Sequence, residues 1–270
     1  MLKPEYFLKR KLTFTKNNSS VTYSIIPWDS QYLNNQTVEI HSLSYKLFPD
    51  LVKSFALFKQ KLKFAHPDLF YVKIPSSNVE LIQTFCRLGF YPVELLVDLT
   101  MDLVCFNFDS LKLPENLTGN YHLRLAKTTD TPGLLKIAQT AFKFDRYHLD
   151  YHLPQDSANN RFYKWMENSL NSKEQVYAFV NKLDAISGFF IVKKIDRVKI
   201  DLRLAALHPD VSGTGLGLIL YAKMCKLLKF QKYQAAHSRI SINNIKVINI
   251  FIKLKCARLK QPQMVLHYMI

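Results

Sequence analysis

Three glycines alternate within the stretch Ser212-Gly213-Thr214-Gly215-Leu216-Gly217, in a chain that has only seven. They follow a strand-like run and open a helix-like one. Glycine admits positive φ and lets a backbone come close to a ligand. A helix N-terminus adds unpaired N–H groups and partial positive charge. Together these make a cradle for a phosphate or pyrophosphate. The same residues also fit a strand-to-helix turn with no ligand. A Walker loop is excluded, because Leu218-Ile219 stand where Lys and Ser/Thr are needed. A dinucleotide fingerprint is excluded too. The spacing is GxGxG, and Gln231-Lys232-Tyr233-Gln234 replaces the acidic residue expected about 20 positions on.

The elements that must position this loop are legible on both sides. His122-Leu123-Arg124-Leu125 alternates like a strand. Asp130-Thr131-Pro132 supplies a helix N-cap and an early proline, with Leu134, Ile137 and Phe142 behind it. A helix is expected over 158–170, and strands over 175–180, 185–192 and 199–207. Asn181-Lys182-Leu183-Asp184 reads as a hairpin turn. After the loop come a helix over 216–229, a strand over 238–242, a helix over 245–255 and a strand over 264–268. The segment 145–152 has no clean period. Pro114 and Gly119 mark a boundary, giving an N-terminal α/β domain at 1–112 and a mixed α/β domain at 119–270. Residues 78–90 match 244–256 at the same offsets in asparagine, aliphatic and phenylalanine positions, a weak internal repeat.

Composition narrows the setting. With 48% hydrophobic and 21% charged residues the chain reads as globular, not disordered. The net charge of +16 favours anionic partners of any kind. No compact Lys/Arg–aromatic motif supports a nucleic-acid partner. Cys86, Cys105, Cys225 and Cys256 form no CxxC pair, so no metal site is expected and a reducing, cytoplasmic location is. The N-terminus lacks a signal-like apolar run, and no stretch approaches the ~20 apolar residues of a membrane span. Lys223 and Lys226 interrupt the most apolar helix.

Leu204-Ala205-Ala206-Leu207-His208-Pro209, the glycine loop and the following helix resemble motif A of the GCN5-related N-acetyltransferases (GNAT). The helix from Asn244 resembles their motif B, N-x-x-A-x-x-x-Y-x-x-x-G-F. Pro27-Trp28-Asp29-Ser30, Ile74-Pro75-Ser76-Ser77-Asn78, Asp145-Arg146-Tyr147-His148-Leu149-Asp150 and residues 163–169 resemble, more narrowly, the dTDP-fucosamine acetyltransferase-like proteins. These resemblances imply a mostly antiparallel sheet flanked by helices, preceded by a degenerate GNAT half. They imply transfer of an acetyl group from acetyl-CoA to an amine, in the narrower case that of a dTDP-linked amino sugar. Ala205, Ala206, Leu207, Ser212, Gly213, Thr214, Gly215, Leu216, Gly217 and Asn244 would then hold the coenzyme, with an N–H near Ala206 or Leu207 polarising the thioester. Asp201, His148 and His152 are candidates for the base that deprotonates the amine. Related folds often pair through their sheets, so a homodimer is an expectation. The departures are Phe251 at the position of the acid tyrosine, Lys255-Cys256 for Gly-Phe, and Ser212 for Gln/Arg. Phe251 leaves open a coenzyme-binding protein without efficient turnover. The acceptor is likewise open between an amino sugar, a peptide and a small-molecule amine.

Overall fold

The computed structural model describes residues 11–27, 29, 36–62 and 67–270. Trp28 and Ser30 of the Pro27–Ser30 motif lie outside the described residues. The chain forms two compact units, Met1–Leu95 with Arg146–Arg161 and Pro262–Ile270, and Leu96–Asp145 with Phe162–Gln261. The 112–120 boundary region lies inside the second unit as a short 3-10 turn and helix α3 (Glu115–Thr118).

In the first unit the strand order is β1 (Leu12–Lys16), β2 (Ser19–Ile25), β3 (Gln36–Ser44), β4 (Pro67–Pro75), β12 (Gln263–Met269), then the start of β5 (Tyr91–Asp102). β3 and β4 are parallel, whereas β1/β2, β2/β3 and β4/β12 are antiparallel. Alternation sorts the side chains. Val38, Ile40, Phe70, Val72, Ile74 and Leu266 pack with Phe55 and Phe58 of α1 (Phe48–Leu62) and Phe85 of α2 (Val79–Arg87). Leu69 and Met269 fall on the opposite face. There Tyr147 of α5 (Arg146–Leu149), Leu153 and Ala158 of α6 (Gln155–Leu170) pack on them.

The second unit orders the end of β5, β10 (Ala235–Ser241), β9 (Lys199–Leu207), β8 (Ile186–Lys194), β7 (Gln175–Asn181) and β6 (Tyr121–Leu125). Only β9/β10 is parallel among these pairs, and β11 (Ala257–Leu259) also pairs β5. Both faces are covered, which is why β7 and β8 are almost continuous apolar runs. Phe179, Phe190 and Leu202 meet α7 (Leu216–Phe230) and α8 (Ile245–Leu254). Val176, Ala178, Phe189 and Ile191 meet α4 (Thr131–Thr140) and Met166 of α6.

Most expected elements are present, and three differ. The aperiodic 145–152 segment contains the one-turn α5. β10 begins at Ala235, ahead of the expected 238. Asp130 does not cap α4 with its side chain. Its carboxylate instead takes Arg124 Nη1 at 2.6 Å and the Lys127 N–H at 2.7 Å, and the Arg124 bonds hold its carboxyl below the usual range. Among the described residues no helix is long and apolar enough to cross a membrane, and no group of three metal-ligating side chains occurs.

Candidate functional site

The second unit contains an opening in its sheet. β9 and β10 pair from Lys199↔Ala235 to Leu202↔Ser238 and no further. β10 goes on to pair β5, with Arg239 opposite Asp98 and Ser241 opposite Leu96. β9 stays on β8, with Ala205 opposite Phe190 and Leu207 opposite Gly188. The register on β8 shifts between Ile191↔Leu204 and Val192↔Leu202, so Arg203 is an extra residue. Such a bulge bends a strand, here at the point where the neighbour departs. Residues 204–207 therefore keep a strand on one side only.

Backbone groups alternate along that exposed edge. His208 N–H donates to Ser187 O on β8 at 2.8 Å. Two residues back, Ala206 faces β8 as well. The N–H and C=O of Ala205 and Leu207 therefore face the opening. Of the pair Ala206 and Leu207, it is Leu207 that presents an N–H there.

From Leu207 the chain passes through a 3-10 turn, Pro209–Val211, into the glycine loop and α7. Gly213 and Gly215 have φ of +87° and +88°, and a Cβ on either would meet nothing within 4 Å. They are needed for left-handed backbone, and they leave open space above the loop. Gly217 differs, because its Cβ would lie 2.8 Å from Ile250 Cδ1, so it serves the approach of α8 to α7. The N–H groups of residues 213–217 donate to no acceptor among the described residues, and the first bond of the helix is Leu218 N–H to Gly215 O. Thr214 Oγ1 donates to Val211 O at 2.7 Å and ties the loop to itself. Leu216 buries its side chain and offers only backbone. α7 has no acidic residue in its first turn. Five free N–H groups, the positive end of a helix and no counter-charge suit an anion. The adjoining strand edge suits an extended polar chain.

The other candidates are distributed as follows. Asn244 caps α8, its Oδ1 accepting from Val247 N at 3.3 Å. Asp201 lies on β9 in register with His237. Burial raises its carboxyl above the ordinary range, against the opposing pull of Arg203, Arg239 and His237. Ser212 is exposed at the start of the loop. His148 and His152 belong to the first unit, where His148 Nε2 meets Asn159 Oδ1 at 3.0 Å. Phe251 is 2% exposed and packs edge-on to Tyr221, which in turn packs edge-on to Phe190. Tyr221 was not among the expected site residues, because in sequence it is one more apolar-face residue of α7. Its hydroxyl has no hydrogen-bond partner among the described residues, and burial raises its pKa.

Sequence reading also missed a buried polar network in the first unit. Asp29 takes Arg161 Nε at 2.9 Å, Arg146 Nη2 at 3.2 Å and the Tyr147 hydroxyl at 2.5 Å. Burial disfavours the Asp29 charge, yet the two guanidiniums hold its carboxyl below the usual range. Beside it, Asp150 accepts from Tyr91 at 3.0 Å, His267 Nδ1 at 2.7 Å, and both the N–H and ring of His152 at 3.0 Å. The two motifs that carry the narrower resemblance, around Asp29 and around Arg146, thus meet in one ion-pair network. They are 117 residues apart in sequence.

Comparison with known proteins agrees with this geometry. No family model matches the sequence. The chain is 21% identical over 229 residues to the spore coat polysaccharide biosynthesis protein SpsD of Bacillus subtilis, covering 84% of this chain and 76% of that protein. It is 27% identical over 148 residues to the dTDP-fucosamine acetyltransferase of Escherichia coli O6:H1, covering 54% of each. A GCN5-related N-acetyltransferase from Sphaerobacter thermophilus superposes with a TM-score of 0.64 at 10% identity, over 94% of this chain and 81% of that one. A tandem GNAT protein from the clavulanic acid biosynthesis pathway does so with a TM-score of 0.57 at 10% identity, over 93% and 78%. The chain has the GNAT acetyltransferase fold, in a tandem-like arrangement. In sequence it resembles, distantly, the dTDP-fucosamine acetyltransferase.

Proposed function

We propose that this protein is an acetyl-CoA-dependent N-acyltransferase acting on the amine of a nucleotide-linked amino sugar. The observation that carries the reading is the conjunction of the β9/β10 opening with the five free N–H groups of residues 213–217. In this reading the loop from Ser212 to Gly217 takes the pyrophosphate of the coenzyme. The open edge at Ala205 and Leu207 pairs with its extended arm, and Ala206 holds that edge on β8. The Leu207 N–H donates to the thioester carbonyl oxygen as negative charge develops there. Asp201 accepts the proton of the acceptor amine, directly or through water, helped by the raised pKa that burial imposes. His148 is the alternative base. The amine nitrogen bonds to the acetyl carbon, the C–S bond breaks, and the thiolate leaves. Phe251 has no proton to give, so Tyr221 beside it, or water, protonates the thiolate. The amino-sugar acceptor is supported by the printed activity of the Escherichia coli relative and by the +16 charge, which suits two anionic substrates.

A second reading rests on Phe251 alone: a protein that binds acetyl-CoA without efficient turnover. A thiolate with a free pKa of about 8.5 is a tolerable leaving group unaided, so the two readings differ in rate. Calorimetric titration with acetyl-CoA, followed by thiol release over a panel of amino-sugar nucleotides, peptides and simple amines, separates them. Binding with release on an amino-sugar nucleotide supports the first reading. Binding with no release on any amine supports the second, and the absence of binding by folded protein sinks both.

A further inference from the structure

We propose that Tyr151 and His152 form a stacking platform for the base of the nucleotide-linked acceptor, an inference that rests on the N-acyltransferase reading above. Tyr151 is 85% exposed, unusual for so large an aromatic side chain. Its ring lies on the His152 ring, with centroids 3.9 Å apart and planes 33° from parallel. His152 lies in turn against Tyr91, at 4.7 Å and 46°. The result is a ladder of three rings whose outer face is open.

The inner end of that ladder is fixed by the buried Asp150 carboxylate. It accepts from the His152 N–H, the His152 ring, the Tyr91 hydroxyl and His267 Nδ1. A carboxylate enclosed in the first unit thus holds the rings beneath an exposed one. An aromatic side chain that only filled a loop would need no such support. A preset aromatic face instead loses little freedom on binding a flat partner. A nucleobase is such a partner, and every base offers a π-face. The platform also occupies the segment that follows Asp145-Arg146-Tyr147-His148-Leu149-Asp150, a motif the catalytic reading leaves without a chemical role apart from His148. The ion pairs of Asp29 with Arg146 and Arg161 hold the two ends of that segment.

Stacking on one ring contributes the equivalent of roughly 10-fold in affinity. The test titrates dTDP, and separately inorganic pyrophosphate, into the full chain saturated with coenzyme A, so that the glycine loop is occupied. Tyr151 is exposed, so its replacement leaves the fold intact. Tyr151→Ala is expected to weaken dTDP about 10-fold, Tyr151→Phe to stay within about 2-fold, and pyrophosphate to be unaffected by either. Unchanged dTDP binding by Tyr151→Ala overturns the platform. So does an equal loss in Tyr151→Phe, which would assign the effect to the hydroxyl. A parallel titration of wild-type protein with acetyl-CoA alone tests the underlying reading. Its failure, with Tyr151-dependent dTDP binding retained, would remove the acyltransferase assignment and leave the base platform standing.

Discussion

The run β3–α1–β4–α2–β5 in the first unit and β9–α7–β10–α8–β11 in the second are built to one plan. In each, a strand pairs its parallel successor over part of its length and then stands free, after Ile40 in β3 and after Leu202 in β9. In each, an asparagine caps the second helix, Asn78 onto Leu81 N–H and Asn244 onto Val247 N–H, with nearly equal dihedrals. Phe85 and Phe251 are buried at the same offset, and Gly89 and Lys255 both adopt positive φ. The difference lies at the start of the first helix. The link from β3 to α1 is Tyr45-Lys46-Leu47, without glycine. Asp50 lies in the first turn of α1, and the Arg87 guanidinium covers the Phe48 ring at 3.8 Å. That entrance carries a negative charge and a covered ring, where the second unit has free N–H groups. One plan thus yields an anion cradle in one place and a closed helix start in the other. Helix-end charge and glycine decide it, not topology.

This comparison can be broken by experiment. The first unit relies on a buried ion-pair network, so Asp29→Asn, which strands two guanidiniums, is expected to cost about 3–5 kcal/mol in chemical denaturation. A loss under 1 kcal/mol, roughly the value of a surface pair, would make the network incidental. Next in size, Gly215→Glu should weaken acetyl-CoA by roughly 100-fold, about 3 kcal/mol, by steric overlap and like charge. Asp50→Asn at the matching helix start should leave acetyl-CoA affinity unchanged in calorimetry. Equal effects would dissolve the contrast between the two helix starts.

Acid should expose a further asymmetry. Burial pushes the Asp150 carboxyl up, but the bonds from His267 and His152 bring it down to about 2. Its stabilisation is therefore complete above the unfolded carboxylate range and is lost as pH falls toward 2. About 2 kcal/mol should disappear along that limb and be missing from the Asp150→Asn variant. At the helix contact of the second unit, Gly217→Ala should cost about 1 kcal/mol, and Ile250→Val, which removes the opposing Cδ1, should recover most of it in a double-mutant cycle. The smallest effect concerns the one helix end where the modules differ in residue type. Lys255→Gly, placing there what Gly89 already is, should raise stability by about 0.5 kcal/mol in thermal melts.

How much of this was legible depends on the range of the interactions involved. The glycine loop, the two asparagine caps and the hairpin at Asn181 are short-range. Each follows from dihedral preference or a bond to a backbone group a few residues away, as when Asn181 Oδ1 accepts from Leu183 and Ala185. The Asp130 cap was misread because a stronger partner, Arg124, lay on the preceding strand. Asn244 was expected at the coenzyme and is engaged in capping its own helix.

The sequence by itself determined the glycine loop, the repeated capped helix and the apolar alternation of β7 and β8, because these depend on local backbone energetics. Tertiary structure alone decided that β9 and β10 part after Leu202, since only the competing partner β5 draws β10 away. It alone carried the last strand, β12, back beside β4, with Val265 opposite Lys73. It alone joined Asp29 to Arg161, 132 residues on. Those pairings are set by which surfaces meet once the chain has closed, and no local preference encodes them.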